Sequence, residues 1–227
     1  MSFYDVLEQA TRQERAELLS IRFIEAGVEG KIARHSYVAF LTQAYHHVKH
    51  TVPLLMACGA RLPERLEWLR SAIGEYIVEE AGHQEWILKD IRACGADAEE
   101  VRNGEPSLAT ELMVAYAYDT IQRKNPVSFF GMVLVLEGTS IQVATHAANA
   151  LQTALRLPKS AFTYLLSHGS LDVSHVGFFK SLMNRIDDDN DQRAIIHCAK
   201  VMYSLYGDIF RTLPFTYQEE TTHEAAI

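Results

Sequence analysis

The chain has 227 residues, 48% of them hydrophobic, with a formal net charge of −8. That acidity argues against nucleic acid, which calls for a basic stripe. The length suits a single domain with a sizeable core, here expected over 1–217 with a frayed tail over 218–227.

Six prolines, twelve glycines and no alternating strand-like runs point to an all-α chain of about seven helices. The first is predicted over 3–27, amphipathic through Leu7, Ala10, Leu18, Leu19, Phe23 and Ile24, and ends at Gly27-Val28-Glu29-Gly30. The second runs over 35–58 with a kink at Pro53, and the third over 63–94, opened by Pro63 and stopped near Gly95. A polar loop from Asp97 to Pro106 leads to the fourth, Ser107 to Lys124. Asn125-Pro126 then reads as N-cap plus first helical residue of the fifth, 126–156, the most apolar of all. Pro158 opens the sixth, 158–185, and the acidic turn Asp187 to Asp191 precedes the seventh, 189–212. That turn lacks the Gly and terminal Glu of an EF-hand loop, so a solvated turn with a helix N-cap is expected. Cys58, Cys94 and Cys198 are widely spaced and odd in number, which fits reduced, intracellular thiols. Neither a secretory signal nor a run of 18 apolar residues is evident, so a soluble, cytoplasmic protein without a membrane span is expected.

The chemistry concentrates in three of these helices. In SHGSLDVSHVGFF, His168, Asp172 and His175 fall within roughly 60° of one another on a helix. Two imidazoles and a carboxylate on one stripe can hold a divalent metal. Taken singly, each is more simply a solvated polar residue; the trio beside Leu171, Phe178 and Phe179 favours ligation. The third helix carries Glu79-Glu80-x-x-His83, and Glu80 and His83 make the Glu-x-x-His step that directs two side chains to one ion. Glu79 is better placed to cap, pair or orient His83. Glu137 follows the apolar run Met132 to Leu136. A carboxylate there must be neutral, paired or metal-bound, with a buried Arg pair as the competing account. His46, His47 and His50 crowd the second helix, and one of them is expected to reach the metal. Gly82, Gly138, Gly169 and Gly177 lie beside these groups, which suggests either close helix approach or room for a substrate. Phe129, Phe130, Met132 and Tyr76 are candidates for a pocket wall, although core packing is the commoner role. Mixed carboxylate and imidazole ligation suits iron or manganese better than structural zinc.

At these residues the chain resembles the haem-oxygenase-like di-iron oxidases and oxygenases, a branch of the TenA/PqqC-type superfamily. The resemblance covers nearly the whole chain: acid and His on the third helix, Glu on the fifth, His-x-x-x-Asp-x-x-His on the sixth. It implies a seven-helix haem-oxygenase-like bundle, commonly a homodimer, binding two Fe(II) ions through Glu80, His83, Glu137, His168, Asp172 and His175. Glu80 and Glu137 would also serve as the catalytic carboxylates. Such enzymes usually add a Glu from the second helix, and this chain has no acid between Glu29 and Glu64. A histidine, His47 by preference, would take that place, and a mononuclear site is the alternative. The nucleophilic Cys of the TenA thiaminases is missing from 126–156, which disfavours thiamin hydrolysis. The implied activity is O2-dependent oxidation of a small organic substrate, of amino-acid or fatty-acid class. The rivals are a cofactor-free PqqC-like oxidase working by general acid–base chemistry, and a non-redox TenA-like binding protein. A ferritin-like four-helix bundle fits less well, because it would want two Glu-x-x-His motifs.

Overall fold

A computed structural model describes residues 1–217, and of residues 168–175 the backbone alone. Among the described residues the chain is helical, apart from one isolated antiparallel bridge between Ile32 and Tyr217. The predicted first helix is three: α1 (Phe3–Ala10), α2 (Arg12–Leu19) and α3 (Arg22–Val28). A capping box starts α1, with the Ser2 hydroxyl accepting from the Asp5 amide and the Asp5 carboxylate from the Ser2 amide. The breaks fall at Thr11, whose buried hydroxyl donates to the Leu7 carbonyl, and at Ile21, which is extended. An amphipathic pattern survives such breaks, so periodicity alone does not locate them.

The second predicted helix is likewise α4 (Arg34–Val48) and α5 (Thr51–Arg61). In an unbroken helix the nitrogen of Pro53 would face the Lys49 carbonyl with no hydrogen to donate. Restarting at Thr51 puts Pro53 in a first turn, where amides lack intrahelical acceptors anyway. The third is α6 (Glu67–Glu80) and α7 (His83–Ala93), and the predicted polar loop holds the short α8 (Ala98–Asn103), capped by Asp97. Helix α9 (Leu108–Arg123) starts on the Ser107 cap. The Asn125-Pro126 signal is realised: Asn125 accepts from the Val127 amide, and a 3-10 turn leads into α10 (Phe130–Leu155). Helices α11 (Thr163–Met183) and α12 (Asp189–Thr212) complete the chain. Asp188 caps α12, but Asp191 of the same acidic turn is only 1% exposed and binds Arg65 and Asn125. The turn is therefore partly a buried anchor rather than wholly solvated.

The central element is α10, packed chiefly against α11 and α12. Pro126–Leu155 is long and apolar enough to cross a membrane by composition, yet 61% of its 18-residue apolar window is buried inside the protein. Its apolarity is that of a core helix. Where α10 meets α12, a Cβ on Gly131 would lie 2.6 Å from the Ala199 nitrogen and the Ile195 oxygen, so only glycine permits this approach. By contrast, a Cβ at Gly82, Gly138 or Gly177 meets nothing within 4 Å. Close helix approach is therefore not what those three glycines provide, and Gly169 lies outside the described residues.

Candidate metal centre

The step from Glu80 to His83 is not helical. Ala81 is extended and Gly82 adopts φ +93, a left-handed conformation that favours glycine, so Glu80 ends α6 and His83 opens α7. The expectation of one continuous helix carrying the motif is thereby corrected. The pair still meets: Glu80 Oε2 lies 2.9 Å from His83 Nδ1, with both side chains buried. The His83 ring stacks on Trp86 at 4.1 Å. Glu79 points to solvent, so of the two acids only Glu80 faces inward.

Three elements bring donors to one cavity of ≈ 70 Å³: His47 from α4, Glu80 from α6 and Glu137 from α10. Tyr76, Phe129, Met132, Leu136 and Tyr206 form much of the remaining wall. Phe130 is instead a fully buried core residue against Phe179. The described lining contains two carboxylates and neither Lys nor Arg. A buried carboxylate is stabilised by a proton, a hydrogen-bond donor or a cation, and Glu80 has His83 beside it. A donor set of imidazole and carboxylates suits a hard or borderline divalent metal. Glu137, half-buried, also borders a second cavity of ≈ 220 Å³ with Tyr4, Glu8, Gly138 and Gln142, so it has open space on two sides.

The histidine cluster divides. The His47 ring meets Tyr206 edge-on at 5.9 Å. His46 is buried elsewhere, its Nδ1 3.2 Å from Lys49 Nζ, and burial together with the Lys49 charge pushes its pKa down to about 4. His50 is engaged with the Tyr118 hydroxyl at 3.2 Å. His35, His146 and His197 are exposed. The side chains of His168, Asp172 and His175 lie outside the described residues; the backbone of α11 is continuous through their positions.

One contributor escaped the sequence reading. Asp90 is fully buried on α7, and its carboxylate accepts from the Tyr164 amide at 2.8 Å in the first turn of α11. It thus fixes the start of the helix that carries the His168 motif. Burial pushes its carboxyl up to about 6, against the pull of the Tyr164 and Thr163 hydrogen bonds. The signal was available: Asp90 shares a helix face with His83, Ile87, Ile91 and Cys94, a lone acid on an apolar stripe like Glu137.

Residues 38–207 match the family described as iron-containing redox enzymes. Comparison with curated proteins gives no match. Among solved structures, the chain is similar to a domain of unknown function with a heme oxygenase-like fold from Shewanella denitrificans. That match has 23% identity and TM-score 0.81, and covers 93% of this chain and 91% of that one. A TenA homologue from Pyrococcus furiosus matches at 15% identity and TM-score 0.72, covering 92% and 98%. Heme oxygenase-1 from Synechocystis, solved with heme, matches at 11% identity and TM-score 0.73, covering 93% and 91%. At these identities the structural matches establish the helical haem-oxygenase/TenA-like fold.

Proposed function

The chain belongs to the iron-containing redox enzyme family, and from that premise we propose that it is a non-haem iron oxidase or oxygenase acting with O2 on a small organic substrate. The observation that carries this reading is the convergence of His47, Glu80 and Glu137 on one cavity. In this reading those residues, with His83 beside Glu80, hold the iron, and His168, Asp172 and His175 complete the set as a two-iron centre. Iron bound there supplies the O2 activation that side chains alone lack.

The remaining work belongs to the protein. His47 contributes an imidazole whose ring packs edge-on with Tyr206. Glu80 and Glu137 offset the cation charge and give the centre its preference for oxygen-loving metals. Phe129, Met132 and Leu136 keep bulk water from the donors. Glu137, which borders two cavities, would hold the iron from the α10 side. Two carboxylates and an imidazole on one cavity are donors suited to holding the ion itself, which supports iron held by side chains over haem.

The test is oxygen uptake by Fe(II)-loaded protein in an electrode cell, with circular dichroism to verify folding. The wild type consumes O2, whereas Glu137→Ala and Glu80→Ala fall at least about 100-fold while staying helical. Equal uptake by the wild type and both variants refutes the assignment.

A further inference from the structure

Another cavity of ≈ 70 Å³ adjoins the metal cavity, and Ser140, Tyr164 and Tyr206 line both. Ser140, Ala144 and Ala147 of α10 form one wall, and Ile24 of α3, Phe40 of α4 and Phe210 of α12 face them. Ile24, Ala144 and Phe210 are buried, whereas Val28, Phe40 and Ala147 are half-buried. The cavity thus reaches from a rim near the surface inward to the metal cavity. Its described lining holds no Asp, Glu, Lys, Arg or His. Of its hydroxyls, that of Tyr37 donates to the Ala161 carbonyl and that of Thr139 to the Val135 carbonyl. The others belong to Ser140, Tyr164 and Tyr206, the residues shared with the metal cavity. Polarity therefore gathers at the junction, and hydrocarbon lines the remainder.

Resting on the iron-oxidase reading above, we propose that this cavity is a dioxygen site, which draws O2 out of water and passes it across Ser140, Tyr164 and Tyr206 to the metal cavity. O2 carries neither charge nor dipole, so hydrocarbon takes it from water at a gain. Small apolar cavities take up guests of the same kind, such as xenon. Size selects among the guests. About 10–15 Å³ seats one water-sized molecule, and pockets for drug-sized ligands run to several hundred Å³. At ≈ 70 Å³ the cavity admits a diatomic gas and is too small for an organic body. An ion would find no counter-charge in it.

The probe is xenon, an apolar atom that follows O2 into such cavities. Crystals of the Fe(II)-loaded chain are pressurised with xenon under anaerobic conditions, and xenon density appears beside Ala144, between α3, α10 and α12. Ala144→Leu fills that space and loses the density. In the same variant the O2 concentration at half-maximal uptake rises at least about fivefold, with maximal rate, iron content and helicity unchanged, because O2 binding and not its chemistry is impaired. Should Ala144→Leu fold poorly from overpacking, Ala147→Leu at the half-buried rim gives the same loss of xenon and the same shift. Wild-type crystals without xenon in the cavity overturn the proposal and leave the iron assignment standing. So does a folded, iron-loaded variant that excludes xenon yet keeps the wild-type O2 dependence. A wild type that takes up no iron fails the oxidase reading, and this inference with it.

Discussion

The two ends of helix α10 obey opposite rules. Around Gly131 the helix lies so close to α12 that not even a methyl group fits, and Phe130 to Val135 are all buried. At Leu136 to Gly138 the same helix is half-buried between two cavities, and Gly138 has no neighbour within 4 Å of a Cβ position. The first region is packed to hold position and the second is left open to hold something else. A carboxylate, Glu137, stands at the boundary, where the rigid anchor fixes its backbone and the open space receives its side chain. Close packing at one end is thus what makes an open, polar site at the other end affordable in a marginally stable fold.

Breaking the open end has the largest expected effect. Glu137→Ala removes a donor without touching the packed end, so oxygen uptake falls at least about 100-fold while the urea midpoint barely moves. Breaking the packed end does the reverse. Gly131→Ala forces α10 and α12 apart and costs about 3 kcal/mol or more, read as a lowered urea midpoint. Gly131→Ala with the midpoint of the wild type would show that the contact is loose and the comparison false.

A third test concerns the strut from α7 to the start of α11. The Asp90 carboxyl is raised from 3.8 to about 6, so its protonated form is favoured by folding. Its contribution to stability is complete below pH 3.8 and is lost as pH rises through 6. Asp90→Asn keeps an acceptor for the Tyr164 amide, and relative to the wild type it gains stability as pH rises from 4 to 6. His46, with its pKa lowered to about 4, imposes a slope of opposite sign, but it is present in both proteins and cancels in the difference. A pH-independent difference between the two unfolding midpoints would contradict the burial argument. The smallest effect is at Gly138, where Gly138→Ala meets no neighbour and gains about 0.5–1 kcal/mol from helix propensity. A destabilised Gly138→Ala would show that this end is packed after all.

Part of the lining of the candidate site was legible in the sequence. Glu137 was recognisable as one acid in an apolar run, and Glu80 could be separated from Glu79 by its place among Tyr76, Ile73 and Leu69 on the inward face. Asn125-Pro126 announced its boundary because capping chemistry is local. Gly82 was misread because a positive φ inside a helical pattern depends on how α6 and α7 pack, not on neighbours in sequence. For the same reason sequence could not tell Gly131, pressed against backbone, from Gly138, which faces open space. Asp90 was legible by the lone-acid argument that found Glu137, since it shares its helix face with Ile87, Ile91 and Cys94. The breaks at Thr11, Ile21 and Lys49 were invisible to periodicity because each piece keeps its apolar face toward one core.

The most direct test of the central claim is anaerobic Fe(II) titration followed by desalting and elemental analysis. The account predicts saturable retention of about two irons per chain in the wild type, and loss of at least half of that iron in each of His47→Ala, Glu80→Ala and Glu137→Ala. Retention equal to the wild type in all three variants, or no retained iron in the wild type, would contradict it.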